Sequence, residues 1–328
     1  MLTEFFPALP EILLPFGQLH PYPKVSDRAA WQALPARLQE ETIALGEAHL
    51  DFEWPSLPAT LFMDFRRTGN RTRFEEKHLA RRMALGRLVM AECVEGKGRF
   101  LDDIADGIWY LCEESFWGVP AHNYIEASLP DVQAPSIDIM VGETAGLLAW
   151  TYYLLGPVLE EYESMLCRRI EYEVDRRILT PFLSNTYYWW QGLDHQDLVN
   201  NWNPWCNYNC LVAFLLVEKE QKRRIEAVGK ILRSLDRFLD FYGEDGGCDE
   251  GPGYWSKAAG SLFDCLEILT AATAGKINVF NHRLIKEMGR YLVRVHIAGN
   301  YFLNFADTKP QLSIDSALVW AYGERTGD

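Results

Sequence analysis

Apolar residues recur at every third or fourth position through most of the chain, in segments separated by prolines and glycines. Between residues 220 and 243 this spacing forms a one-sided apolar stripe that ends at Gly243. Two later stripes end before Gly275 and Gly299, the first of them after Ser256, which we expect to be a helix N-cap. Because 3.6 residues make one helical turn, we predict an all-α fold of roughly nine to eleven helices.

The prolines are spread unevenly. Eight of the sixteen lie in the first 58 residues, and the next after Pro58 is Pro120. We therefore predict an irregular lead-in over residues 1–58, with one helix near residues 27–50, and a helical domain over residues 59–328. Amphipathic helices joined by such turns can stack as a solenoid or close into a ring of hairpins, and periodicity alone does not decide between them.

Charge and hydropathy exclude several functions. The formal net charge is −14, which argues against phosphate-driven binding of nucleic acids. The sequence contains no run of about 18 apolar residues, the length that a membrane span needs. Its first residues lack the basic segment of a secretory signal. We therefore expect a cytoplasmic protein without a membrane partner. The seven cysteines are odd in number and scattered, which predicts reduced, buried thiols.

Aromatic and amide side chains are unusually dense between residues 187 and 209. The aromatic residues are Tyr187, Tyr188, Trp189, Trp190, Trp202, Trp205 and Tyr208, and the amides are Asn200, Asn201, Asn203, Asn207 and Asn209. Aromatic faces beside amides suit a carbohydrate, because sugar rings offer C–H faces for stacking and hydroxyl groups for hydrogen bonds. The alternative is a crowded core turn in which amides cap helices and indoles fill volume.

A glycine-rich segment follows at residues 243–255. Its glycines and Pro252 are incompatible with a continuous helix, so Glu250 and Tyr254 are expected on a tight loop leading into the next helix. Loops of this kind often carry functional groups. We expect this loop and the residues around Asn201 to line one cavity.

Four motifs together resemble the helical N-terminal domain of heparinase II/III-like proteins, relatives of polysaccharide lyases acting on heparin-type glycosaminoglycans and alginate. They are FWGVPAH at 116–122, IDIMVGETAGLLAW at 137–150, NNWNPWCNYN at 200–209 and DEGPGYW at 249–255. The similarity covers roughly residues 75 to 325. It implies an incomplete (α/α) toroid of helical hairpins whose groove binds an acidic polysaccharide, and the C-terminal β-sandwich of the family is expected to be absent.

The resemblance also implies residue roles. Asn201 matches the asparagine that faces the uronate carboxylate, and Tyr254 matches the catalytic tyrosine. Elimination of a 4-O-linked uronide requires a neutralised carboxylate, a base at C5 and an acid for the leaving oxygen, so His122 is the expected remaining proton carrier. The residues expected to bind substrate are Trp202, Asn203, Trp205, Glu250, Trp255 and Glu143. No cofactor or metal is expected.

Other functions remain open from the residues alone. A glycoside hydrolase would use Glu250 with a partner such as Glu143, and a non-catalytic carbohydrate-binding or scaffold domain would use the same aromatic residues. Two metal patterns are weighed against structural roles. The first is the DDxxD spacing of Asp102, Asp103 and Asp106, which we expect to be a solvated helix face. The second is the set Cys206, Cys210, Cys248 and His195, in which we expect the cysteines to be structural.

Overall fold

The computed structural model describes residues 1–123, 125–194 and 198–328, and it confirms the all-α prediction. The α-helices of these residues are α1 (Leu9–Ile12), α2 (Arg28–Gln32), α3 (Ala36–Glu47), α4 (Ala59–Thr68), α5 (Thr72–Glu95), α6 (Leu101–Glu113), α7 (Ile139–Val174), α8 (Thr180–Ser184), α9 (Trp202–Leu216), α10 (Gln221–Phe241), α11 (Ser261–Ala272), α12 (Arg283–Val295) and α13 (Ser316–Thr326). Two short strands, β1 (His296–Ala298) and β2 (Tyr301–Phe302), pair antiparallel, with His296 opposite Phe302.

The strongest apolar stripes lie in helices, as their spacing predicts. These helices are α10 and α12. The start of α11 differs from the prediction. A π-helical turn, Ser256–Gly260, runs directly into α11, and the residue before it, Trp255, already has helical backbone angles. Ser256 therefore lies inside helical structure and does not cap it.

The helix α7 shows how one long segment is bent. Asp138 caps its N-terminus, because the Asp138 side chain accepts a hydrogen bond from Val141 N–H at 2.7 Å. The backbone of Glu163 is extended rather than helical, so α7 is interrupted there, and Pro157 lies inside the first part. A π-helical turn, Asp175–Leu179, then leads into α8.

The chain divides into two compact units. The first unit comprises Met1–Pro21, Leu183–Leu211 and Lys219–Asp328, and the second comprises Tyr22–Phe182 and Val212–Glu218. The lead-in expected over residues 1–58 is split between them. It contains α1, α2 and α3 where one helix was expected, because its apolar residues pack on other elements instead of remaining irregular.

In the first unit the N-terminal segment packs against α10. Leu2 and Leu9 are fully buried, and the ring of Phe6 lies over Gly229, where a Cβ atom would be 2.1 Å from the ring. The carboxylate of Asp236 on α10 accepts hydrogen bonds from Leu2 N–H at 2.7 Å and Thr3 N–H at 2.9 Å. One buried carboxylate thus fixes the start of the chain on α10.

In the second unit α3 packs on α5, and α5, α6 and α7 pack on one another. Two buried carboxylates organise this region. Glu114 pairs with Arg82 at 2.6 Å, and Glu173 pairs with Arg177 at 2.8 Å. Arg177 also donates to the Glu114 carbonyl at 2.5 Å, just after the last residue of α6, where unpaired carbonyls favour a cation.

All seven cysteines are buried and free of disulfides, as predicted. Across residues 1–123, 125–194 and 198–328, no helix combines the length and apolar character needed to cross a membrane.

Replacing Asp236 with Asn should lower the free energy of unfolding by about 1–3 kcal/mol, because the buried Leu2 N–H and the part-buried Thr3 N–H lose a charged acceptor. Burial raises the pKa of Asp236, but the hydrogen bonds from Thr3 and Leu2 lower it more, so the folded-state pKa lies below the ordinary value. This stabilisation is present above pH about 4 and is lost as the pH falls through the folded-state pKa. Urea unfolding at pH 7 and pH 3 measures both effects. The exposed Asp240→Asn on the same helix should change neither, and an equal loss there would contradict the assignment.

Candidate functional site

Asn201 directly precedes α9, and Trp205 lies in the first turn of that helix. The Asn200 side chain accepts from Trp202 N–H at 3.0 Å, which starts the helix. Trp205 N–H donates to the Asn201 carbonyl at 3.2 Å. This backbone hydrogen bond joins Asn201 to Trp205 across the first turn.

The glycine-rich segment forms the predicted tight loop, and Thr308 holds it. Gly253 N–H donates to Thr308 Oγ1 at 2.9 Å, and that hydroxyl donates to the Glu250 carbonyl at 3.1 Å. Gly251 has a φ of +85°, and a Cβ atom there would lie 2.3 Å from Thr308 Oγ1. Only glycine fits this conformation and this close approach. A 3₁₀ turn, Pro252–Tyr254, follows.

The two segments meet within the first unit. The Asn201 amide, which is 3% exposed, donates a hydrogen bond from Nδ2 to the Glu250 carboxylate. The ammonium group of Lys257 lies 3.9 Å from the centroid of the Trp205 ring. Tyr254 is half-buried and stands between Glu250 and Lys257 in the chain. The amide stretch and the glycine-rich loop are therefore in contact through Asn201 and Glu250. That the two segments line one cavity stays a prediction.

Burial and nearby acids shift the proton affinity of Glu250. Desolvation raises its pKa most, and the negative charges of Asp249 and Asp307 raise it further. Among the described residues no cation forms an ion pair with Glu250 to oppose this shift. The Glu250 carboxyl therefore holds a proton at a higher pH than an ordinary glutamate.

Asp264, in the first turn of α11, was missed by the sequence analysis. Burial raises its pKa to about 7, with a smaller contribution from Glu267 and an opposing one from Lys257. The only sign in the sequence is a lone aspartate between apolar neighbours at the start of a buried helix. A carboxyl with a pKa near neutrality can exchange protons during a reaction.

Two residues predicted to bind substrate, Asn203 and Trp255, lie in the interior, and their side-chain N–H groups are hydrogen-bonded within the protein. Asn203 is fully buried, and its Nδ2 donates to the Trp190 carbonyl at 2.8 Å and the Ser234 carbonyl at 3.0 Å. Trp255 is 2% exposed, and its Nε1 donates to the Met288 carbonyl at 2.8 Å. The polar groups of both side chains are hydrogen-bonded inside the protein. This agrees with the alternative in which amides and indoles form a crowded core turn.

Trp202 and Trp205 are only partly buried and keep ring surface accessible. Trp202 also packs at a tilt against Trp189, with ring centroids 5.2 Å apart. Trp189 is itself 45% exposed, so the aromatic surface extends beyond the start of α9.

His122 and Glu143 belong to the second unit, whereas Asn201, Glu250 and Tyr254 belong to the first. His122 Nδ1 is 3.0 Å from a carboxylate oxygen of Asp138, which also caps α7. This contact favours the tautomer with the proton on Nδ1. Glu143 lies in the first part of α7 and is partly buried.

Neither metal pattern gains support. Asp102 and Asp106 are exposed on α6, and Asp102 accepts a hydrogen bond from the Tyr162 hydroxyl at 2.5 Å. His195 lies outside the described residues. Within the part of the chain that is described, no three His, Cys, Asp or Glu side chains gather in a way that could hold a metal ion.

No family model matches the chain, and no curated protein matches it significantly. The function is therefore argued from the site, because a helical fold alone does not define an activity.

Replacing Gly251 with Ala should destabilise the protein by about 1–3 kcal/mol, because the new methyl group meets Thr308 and the backbone keeps a positive φ. Gly243→Ala is the matched control in the same segment, since its Cβ meets only the movable Asp245 side chain. Thermal unfolding of both variants measures the difference. Equal unfolding temperatures for the two would show that Thr308 does not fix the loop.

Proposed function

We propose that the chain is a polysaccharide lyase-like protein that cleaves a uronate-containing acidic polysaccharide by β-elimination, in the groove of an incomplete (α/α) toroid. The observation that carries the proposal is the hydrogen bond from Asn201 to Glu250, which joins the amide stretch to the loop of Tyr254. The motif resemblance to heparinase II/III-like proteins agrees with it.

The reaction removes the proton at C5 of the uronate, breaks the bond from C4 to the leaving oxygen and forms a C4–C5 double bond. Negative charge develops on the carboxylate side as the proton leaves, so a hydrogen-bond donor must face that group. Asn201 fills this role in the proposal. Its amide already holds a carboxylate, that of Glu250, and is neutral at every pH.

Tyr254 is the proposed proton carrier. As a phenolate it takes the C5 proton, and as the resulting phenol it returns a proton to the leaving oxygen, so the proton count balances. A free phenol has a pKa of about 10, and a nearby cation favours its ionised form. Lys257 follows three residues later in the chain, and its ammonium group lies over the Trp205 ring. No step is assigned to His122 or Glu143.

Glu250 controls whether an acidic sugar can approach Asn201. An ionised Glu250 repels the uronate carboxylate, whereas a protonated Glu250 donates a hydrogen bond to it. The raised pKa of Glu250 extends the protonated form toward higher pH, which suits an acidic ligand.

A glycoside hydrolase is the second candidate, because the same raised pKa of Glu250 suits a general acid that protonates a leaving oxygen. A binding domain without catalysis is the third, and it rests on the exposed aromatic surface alone. Incubation with alginate, heparan sulfate, hyaluronan and chondroitin separates the three. Elimination gives ultraviolet-absorbing unsaturated ends, hydrolysis gives reducing ends without that absorbance, and a binding domain gives neither.

Replacing Tyr254 with Phe should abolish turnover while oligosaccharide affinity stays within about tenfold, because only the proton carrier is removed. Initial rates of unsaturated product and calorimetric binding measure the two effects. Tyr172→Phe, at an exposed tyrosine of the second unit, is the matched control and should retain full activity. Full turnover by the Tyr254 variant would refute the role.

Replacing Glu250 with Gln should remove the pH dependence of binding to an acidic oligosaccharide. In the wild type, affinity falls as the pH rises through the raised pKa of Glu250, because the charged form repels the ligand. The variant should bind as tightly at pH 8 as the wild type does at low pH. Glu244→Gln, at an exposed loop position, should keep the wild-type profile, and an unchanged profile in the Glu250 variant would disprove the proposal.

A further inference from the structure

A cleft of about 130 Å³ lies in the first unit beside the start of α9. Its walls include Tyr187, Trp189 and Leu198, and its polar groups include Thr186 and Asp194. Aromatic residues are dense in this part of the sequence, and Asn201 and Glu250 of the proposed site are not among the residues that line the cleft.

The aromatic residues of the cleft alternate between interior and surface. Tyr188 and Trp190 are buried and stack on each other, with an interplanar angle of 9°. Tyr187 and Trp189 between them are 61% and 45% exposed. Large aromatic rings are usually more buried than this, and exposed ones often mark binding sites. The buried pair anchors the backbone, so the exposed rings are held at fixed positions.

One ring contact links the cleft to the residue that follows Asn201. Trp189 at its edge packs on Trp202, which follows Asn201 directly in the chain. A polymer bound with one ring at Asn201 therefore has a neighbouring ring within reach of the cleft.

We propose that this cleft is a second sugar-binding subsite, which stacks the ring adjacent to the reacting uronate on Trp189 and Tyr187. The proposal rests on the proposed function. Asp194 is exposed and accepts hydrogen bonds from sugar hydroxyl or amine-derived N–H groups, and it repels a carboxylate. The subsite therefore takes an uncharged or amino-substituted sugar, and the preferred polymer alternates such rings with uronates.

The test uses hyaluronan oligosaccharides, in which uronate and uncharged amino sugar alternate, and alginate oligosaccharides, which contain only uronates. Trp189→Ala and Tyr187→Ala should each lower kcat/KM for hyaluronan oligosaccharides about tenfold. Trp320→Ala removes an exposed indole of α13 and is the matched control for surface loss of an aromatic ring. Asp194→Asn should raise the use of alginate relative to hyaluronan at least threefold.

The outcomes separate this subsite from the proposed reaction. If unsaturated product forms and the cleft variants match Trp320→Ala at every chain length, the subsite is refuted and the lyase function stands. If no product forms but hexasaccharide binding is lost in the cleft variants alone, the lyase function fails and the subsite stands. If the wild type neither cleaves nor binds any of these glycans, both are refuted.

Discussion

The hydrogen bond between the Asn201 amide and the Glu250 carboxylate is the contact on which the candidate site depends. It joins the residue before a helix to a loop 49 residues later in the chain. Gly251 and Thr308 give the loop its shape, and Lys257 over Trp205 adds a second contact between the same two segments. Leaving the buried Asn201 amide without this acceptor would destabilise the folded state. The same hydrogen bond therefore stabilises both the fold and the candidate site.

Much of the helical structure could be predicted from spacing, because an apolar stripe such as that of α10 determines both the helix and its buried face. The two units could not be predicted. Each is assembled from separated parts of the chain, and local periodicity carries no information about which parts pack together. Apolar spacing also does not predict the interruption of α7 at Glu163 or the π-helical turn before α11. Neither feature changes the spacing of apolar residues much.

The sequence indicates which segments carry the candidate site. It does not indicate which side chains within those segments meet. Amide-rich composition does not distinguish Asn201, which meets Glu250, from Asn203, whose donors are used inside the protein. That difference depends on the direction each residue faces around α9. Asp264 was invisible for a related reason, since its proton affinity arises from burial on folding.

The buried thiols, none of which is in a disulfide, can report how the protein unfolds. Cys93, Cys112 and Cys167 lie in the second unit, and Cys206, Cys210, Cys248 and Cys265 lie in the first. Burial raises the pKa of Cys112 and Cys248, so the native thiols are poor nucleophiles as well as inaccessible. Alkylation by a small maleimide therefore requires local unfolding. Mass spectrometry of the modified peptides would show which cysteines react first. It would therefore show which of the two units unfolds first.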